Sequence, residues 1–228
     1  MSNTRARRPS NAVSSPGAQR QDDDLLGLSG RRVPSPAELC EIARQSPDQH
    51  TPWEAAFHEA GHVVAHMGVG GAPLVVWLAD GELAGRTVFS HGPTFSRTLP
   101  AIRRDRAVIL AAGDCAWGIA LGQAEAPEDW AGQVVGALGD PENTDMEKLA
   151  QLIPHQLTCA EAKQWLAGAR ADAGRILEDR WDDVQLVAAE LHARRHLERE
   201  DLRALGLAER THVHDLEGTL RARRCART

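Results

Sequence analysis

The segment from Thr51 to Gly71 constrains this 228-residue chain more than any other. Thr51-Pro52-Trp53-Glu54 supplies a hydroxyl cap, a proline suited to the first helical turn, and a glutamate that can reach back to the cap. From Trp53 to Met67 there is no further proline and a single glycine, and Gly68, Gly70 and Gly71 then stop the run. This pattern predicts a helix over 53–67. His58 and His62 stand four residues apart in its middle, so they lie on one face, one turn above the other. The neighbours Ala55-Ala56-Phe57 and Val63-Val64-Ala65 are small or apolar, which points to a buried helix. Buried imidazoles need partners.

Two imidazoles at this spacing can bind one zinc ion (Zn2+) at about 2.0–2.1 Å each. Glu59, one residue along, falls beside the metal rather than on it, where a general base for a metal-activated water belongs. A catalytic zinc needs a third protein ligand and an open position. The metzincin continuation would require Gly at 65 and His at 68. The chain has Ala65 and Gly68, so that continuation fails. Several third ligands remain in play. Glu82 follows at a plausible separation but beside a turn signal. His66 extends the same helical face, though one helix rarely supplies three ligands to one zinc, so packing or solvation is the better account of it. His91 lies in a loop. Asp145 sits in the first turn of a helix entered from a glycine-rich loop, where it would equally well complement the helix dipole.

The rest of the chain reads as mainly α with a small β hairpin or sheet. Residues 1–33 are polar, with Asp22-Asp23-Asp24, and are expected to form a disordered leader. A domain is expected over 34–210, followed by a polar, basic tail over 211–228. Ser35-Pro36-Ala37-Glu38 predicts a short helix to about Gln45. Leu74–Leu78 and Thr87–Phe89 read as strands around the Asp80-Gly81 turn signal, and Pro93 and Pro100 bracket a loop. Residues 101–122 read as a buried helix and 123–143 as loop. Cap patterns recur at Thr144-Asp145-Met146-Glu147 and Thr158-Cys159-Ala160-Glu161. A last long helix is expected over about 160–195, with breaks at Gly168 or Gly174, and a short one over about 199–205.

Composition excludes several function classes. The formal net charge of −6, with no basic stripe interleaved with aromatics, gives no footprint for nucleic acid. Cys40, Cys115, Cys159 and Cys225 form no C-x-x-C pair and no disulfide framework. The N-terminus lacks the apolar stretch of a signal peptide, and no run of about 18 apolar residues offers a membrane span. A cytoplasmic location is the expectation that follows.

Four segments, in order, resemble the peptidase domain of the FtsH family of zinc metalloproteases. They are Phe57-His58-Glu59-Ala60-Gly61-His62-Val63, Leu110-Ala111-Ala112-Gly113-Asp114-Cys115-Ala116, Glu142-Asn143-Thr144-Asp145-Met146-Glu147-Lys148-Leu149-Ala150, and Ile176-Leu177-Glu178 through Glu198-Arg199-Glu200-Asp201-Leu202. The likeness covers roughly residues 50–206. It implies an FtsH-like fold with zinc held by His58, His62 and Asp145, and with Glu59 as base of a metalloendopeptidase acting on peptide or unfolded protein. It also implies that a β edge within 74–90 aligns the substrate. Family members usually carry an ATPase module and membrane helices. This chain has no G-x-x-x-x-G-K-S/T phosphate loop and no spanning segment, so it is expected to work alone or beside a separate ATPase, and the family's ring assembly makes a homo-oligomer an open alternative. Asp114 stands where a basic residue is usual, and Trp117 where an acidic one is common. The competing expectation is a non-catalytic, zinc-stabilised interaction module that binds through the helices after residue 160. Intact Glu59 favours the enzyme.

Overall fold

The computed structural model describes residues 30, 32–45, 51–78, 85–90, 98–123, 127, 129–139 and 144–207. The expected leader up to residue 29, the tail, the Asp80-Gly81 turn, the loop at Pro93, and the candidates Glu82 and His91 lie outside them. Eight helices and three short strands are described: α1 Pro36–Gln45, α2 Pro52–Gly68, β1 Ala72–Leu78, β2 Gly85–Ser90, α3 Leu99–Ala120, α4 Trp130–Gly136, α5 Thr144–Gln151, α6 Cys159–Asp179, α7 Trp181–Arg194, β3 His196–Glu198 and α8 Arg199–Ala204. The expectation of a mainly helical chain with a small β element holds.

Helix α2 is the centre of the fold. The Thr51 side chain accepts a hydrogen bond from the Glu54 amide, and Pro52 occupies the first turn. All but a few residues of α2 are buried, as expected of a helix that is apolar nearly all round. It packs on α3 along one side and α7 along another, with β1 and β2 nearby. Phe57, fully buried, stacks on Trp181 and packs against Trp53 and Trp117; truncating it to alanine would cost about 3–5 kcal/mol. Gly61 permits the close approach of α3. A Cβ there would stand 2.4 Å from the Ala112 carbonyl oxygen and 2.7 Å from the Ala116 Cβ. One core cluster extends from Leu39 to Leu207, so the described parts of the expected 34–210 domain share one interior.

The sheet has the order β2-β1-β3, antiparallel throughout. The β1–β2 hairpin matches the expected strands. β3 was not foreseen; it is only three residues long, and its pairing with β1 (Val76 opposite Leu197) is non-local. Three further expectations need correction. Pro100 lies in the first turn of α3 rather than closing a loop. The 123–143 stretch contains α4, which buries Trp130 and Val134 despite its glycines. The long 160–195 helix is two helices that break at Arg180, not at Gly168 or Gly174. Among the described residues no helix is long and apolar enough to cross a membrane.

Candidate metal centre

His58, His62 and Asp145 converge at one point, although 83 residues separate His62 from Asp145. His58 Nε2 and His62 Nε2 are 3.0 Å apart, and each lies 3.1 Å from Asp145 Oδ2. The two imidazoles meet edge to face. Helix α2 supplies both rings through its four-residue spacing. Helix α5, packed on α3, presents the aspartate from its first turn. Among the described residues this is the only cluster of three such side chains able to hold a metal ion.

The surroundings aim each donor atom inward. His62 Nδ1 lies 2.8 Å from the Ile109 carbonyl oxygen. A carbonyl can only accept, so Nδ1 carries the proton and Nε2 is left with its lone pair. His58 Nδ1 faces Asp114 Oδ1 at 3.6 Å, and Trp130 Nε1–H donates to Asp114 Oδ2 at 3.3 Å. The Lys148 ammonium holds Asp145 Oδ1 at 3.1 Å, which leaves Oδ2 to the histidines. With His58 in the same tautomer as His62, two ring lone pairs and a carboxylate oxygen point at one another. Three acceptors this close repel unless a cation joins them. Tetrahedral zinc ligands at about 2.0–2.2 Å from the ion stand about 3.3 Å apart, so the triangle needs adjustment of only a few tenths of an ångström. The donor set and its spacing fit zinc.

The electrostatics agree. Burial works against a charged His62, but the hydrogen bond to Asp145, the Asp145 and Glu59 charges and the bond to Ile109 outweigh it and push the pKa up to about 9. Burial likewise opposes ionisation of Asp145, yet His58 and His62 hold its carboxyl well below the usual carboxylate range. In the metal-free protein the proton held by His62 supplies a positive charge beside Asp145.

Glu59 is buried, and its Oε2 accepts a 2.5 Å hydrogen bond from the Thr87 hydroxyl of β2. This bond ties the sheet to the cluster through Oε2. His66 is not part of the cluster: it is buried and packed over Gly71, where a Cβ would come within 2.3 Å of its ring. Of the packing or solvation that the sequence favoured for it, burial against the Gly71 backbone matches packing.

Four supporting groups escaped the search for ligands. Thr87 sits in a strand recognised only by its apolar neighbours. Asp114 stood out merely as a departure from a pattern. Gly113 is required sterically, since a Cβ there would lie 2.5–2.7 Å from atoms of the His58 ring. The fourth, the Ile109 carbonyl, has no side-chain signal at all. No protein-family model matches the chain, and a search of the curated proteins returns no match.

Proposed function

We propose that this chain is a zinc metalloendopeptidase with an FtsH-like peptidase fold, its zinc held by His58, His62 and Asp145. The observation that carries this reading is the convergence of three donor atoms within 3.1 Å, with Glu59 on the same helix held by a hydroxyl of the neighbouring sheet. A zinc ion held by His58, His62 and Asp145 would supply the Lewis acidity that activates water and polarises a scissile carbonyl. Glu59 takes a proton from the attacking water and passes it to the leaving amine as the C–N bond breaks. Thr87 keeps the carboxylate turned toward the reaction by binding its other oxygen. The β2 strand lies at an end of the sheet, and β1 is its only partner among the described residues. An extended peptide that adds to the free side of β2 would run past Thr87 and Glu59.

A structural zinc normally fills its fourth position with protein. Only three ligand groups converge among the described residues, which favours a catalytic ion over a zinc-stabilised interaction module. We take peptides and unfolded protein as substrates, with a separate ATPase to unfold folded ones. The test is casein hydrolysis by the zinc-loaded chain beside Glu59→Gln, with bound metal counted in both. Loss of cleavage by more than about 100-fold at one zinc per chain is the expected result for the variant. Zinc in both with cleavage in neither would favour the interaction module or an obligatory ATPase. Absence of metal from both would refute the proposal.

A further inference from the structure

Helices α3, α4 and α6 line an open pocket of about 380 Å³, on which the metallopeptidase reading makes no demand. Its walls are small and apolar, with Ile119, Ala131, Ala167 and the Trp130 ring among them. Arg170 of α6 contributes a charge. The residue is only 8% exposed, and its guanidinium carbon lies 4.9 Å from the centre of the Trp130 ring. Its Nη1 has no hydrogen-bond partner, and no carboxylate among the described residues pairs with it. Buried arginines are ordinarily paired, because a guanidinium out of water needs acceptors. Stacking on the indole covers a face of the group and leaves its in-plane N–H donors for an acceptor of another kind.

We propose that this pocket is a binding site for a small organic carboxylate, with Arg170 as the charged anchor and the apolar walls holding the ligand's hydrocarbon body. The volume falls in the range of small-molecule pockets. The charge count selects a monoanion. Arg175, on the rim, is committed to Asp172, and exposed Glu178 on the same rim opposes a second negative charge. One unpaired cation thus matches one carboxylate, in the two-pronged geometry that guanidinium favours. The pocket binds rather than reacts. Its cysteine, Cys115, is buried, and burial pushes the thiol up to about 11, so it stays protonated; it sits 3.8 Å from the Arg170 carbonyl oxygen.

The probe is hexanoate, with hexanamide as its neutral counterpart and inorganic phosphate as a dianion. Each is titrated into the zinc-loaded full chain while the Trp130 indole N–H is followed by NMR, and the series is repeated after zinc is removed by a chelator. Saturable binding of hexanoate with and without zinc, at least tenfold tighter than hexanamide, is expected. Arg170→Met should weaken it by at least tenfold. Gly174→Leu should do so without touching the charge: a Cβ there meets nothing within 4 Å, so a side chain can extend into the pocket, and leucine suits a helix interior. Equal affinity for the amide, or no saturable binding by hexanoate, would overturn the proposal. So would binding that vanishes with the zinc, binding that survives both substitutions, or tighter binding of phosphate. None of these outcomes depends on peptidase activity, so the two readings fail separately.

Discussion

Replacing Gly113 with alanine should separate metal binding from folding. A Cβ at 113 would sit 2.5 Å from His58 Cε1, 2.6 Å from Nε2 and 2.7 Å from Nδ1. Ordinary contact between such atoms begins near 3.4 Å, so the ring must retreat by about 1 Å. Metal–ligand distances tolerate only about 0.2 Å, so that displacement removes His58 as a ligand. Zinc affinity should fall by about 100-fold or more, at the upper limit of what a change outside the ligands usually causes. The metal-free chain should respond differently. The His58 side chain is 27% exposed, so its ring has room to swing outward. Alanine in place of glycine inside α3 contributes up to about 1 kcal/mol of helix stability, enough to offset much of the crowding. Zinc affinity measured against a competing chelating dye, beside urea melts in EDTA, reads both effects. Zinc affinity within threefold of wild type would refute the placement of His58 over Gly113. A metal-free chain destabilised by several kcal/mol would refute the claim that the ring can move aside.

Three other perturbations follow from the same geometry. In the metal-free chain His62 has its pKa raised from 6.5 to about 9, so its stabilising contribution is complete below about pH 6.5 and is lost as pH climbs through 9. Zinc uptake at pH 7 should accordingly release about one proton from the cluster, as calorimetry in buffers of differing ionisation heat would detect. Thr87→Val removes the donor to Glu59 Oε2 but no zinc ligand, so bound metal should stay at one per chain while kcat for casein falls about tenfold. Gly61→Ala drives a Cβ into the backbone of α3, which cannot swing aside as a ring can. Overpacking of about 3 kcal/mol, offset by about 1 kcal/mol of helix propensity, predicts a net loss of about 2 kcal/mol in urea melts.

Features governed by local chemistry were legible in the sequence. The Thr158 capping box forms as expected, with the hydroxyl accepting from the Glu161 amide and the carboxylate accepting from the Thr158 amide. The proline-led starts of α1 and α2, and the facing of His58 and His62, are local in the same way. The break between α6 and α7 is not. Gly168 and Gly174 remain helical within α6, and a Cβ at Gly168 would come within 2.9 Å of the Arg104 guanidinium. The chain turns instead at Arg180, whose Nε donates to buried Asp183 at 2.9 Å as α7 folds back on α2. No glycine or proline marks that position, so propensity alone could not find it. Asp145 shows the same divide within the site. Its helix was visible, and its convergence on the histidines is a tertiary fact that the sequence reached only through resemblance.

Helix α3 contributes none of the three converging side chains, yet it shapes the candidate metal centre. Ile109 offers the carbonyl that orients His62, Gly113 leaves room for the His58 ring, and Asp114 faces the outer nitrogen of that ring. Ile109 and Gly113 stand four residues apart, so one face of one helix backs both histidines. That face can work only if α3 approaches α2 at backbone contact, and Gly61, inside the His-Glu-Ala-Gly-His segment itself, permits the approach. The glycine between the two ligands and the glycine opposite them thus serve one purpose. The aspartate at 114 fits the same scheme. A basic side chain in its place would set a positive charge against the outer nitrogen of His58, whereas a carboxylate there sets a negative charge behind the ring, on the side away from a bound cation. The altered residue, which as sequence looks like a weakening of the resemblance, thus fits the candidate metal centre.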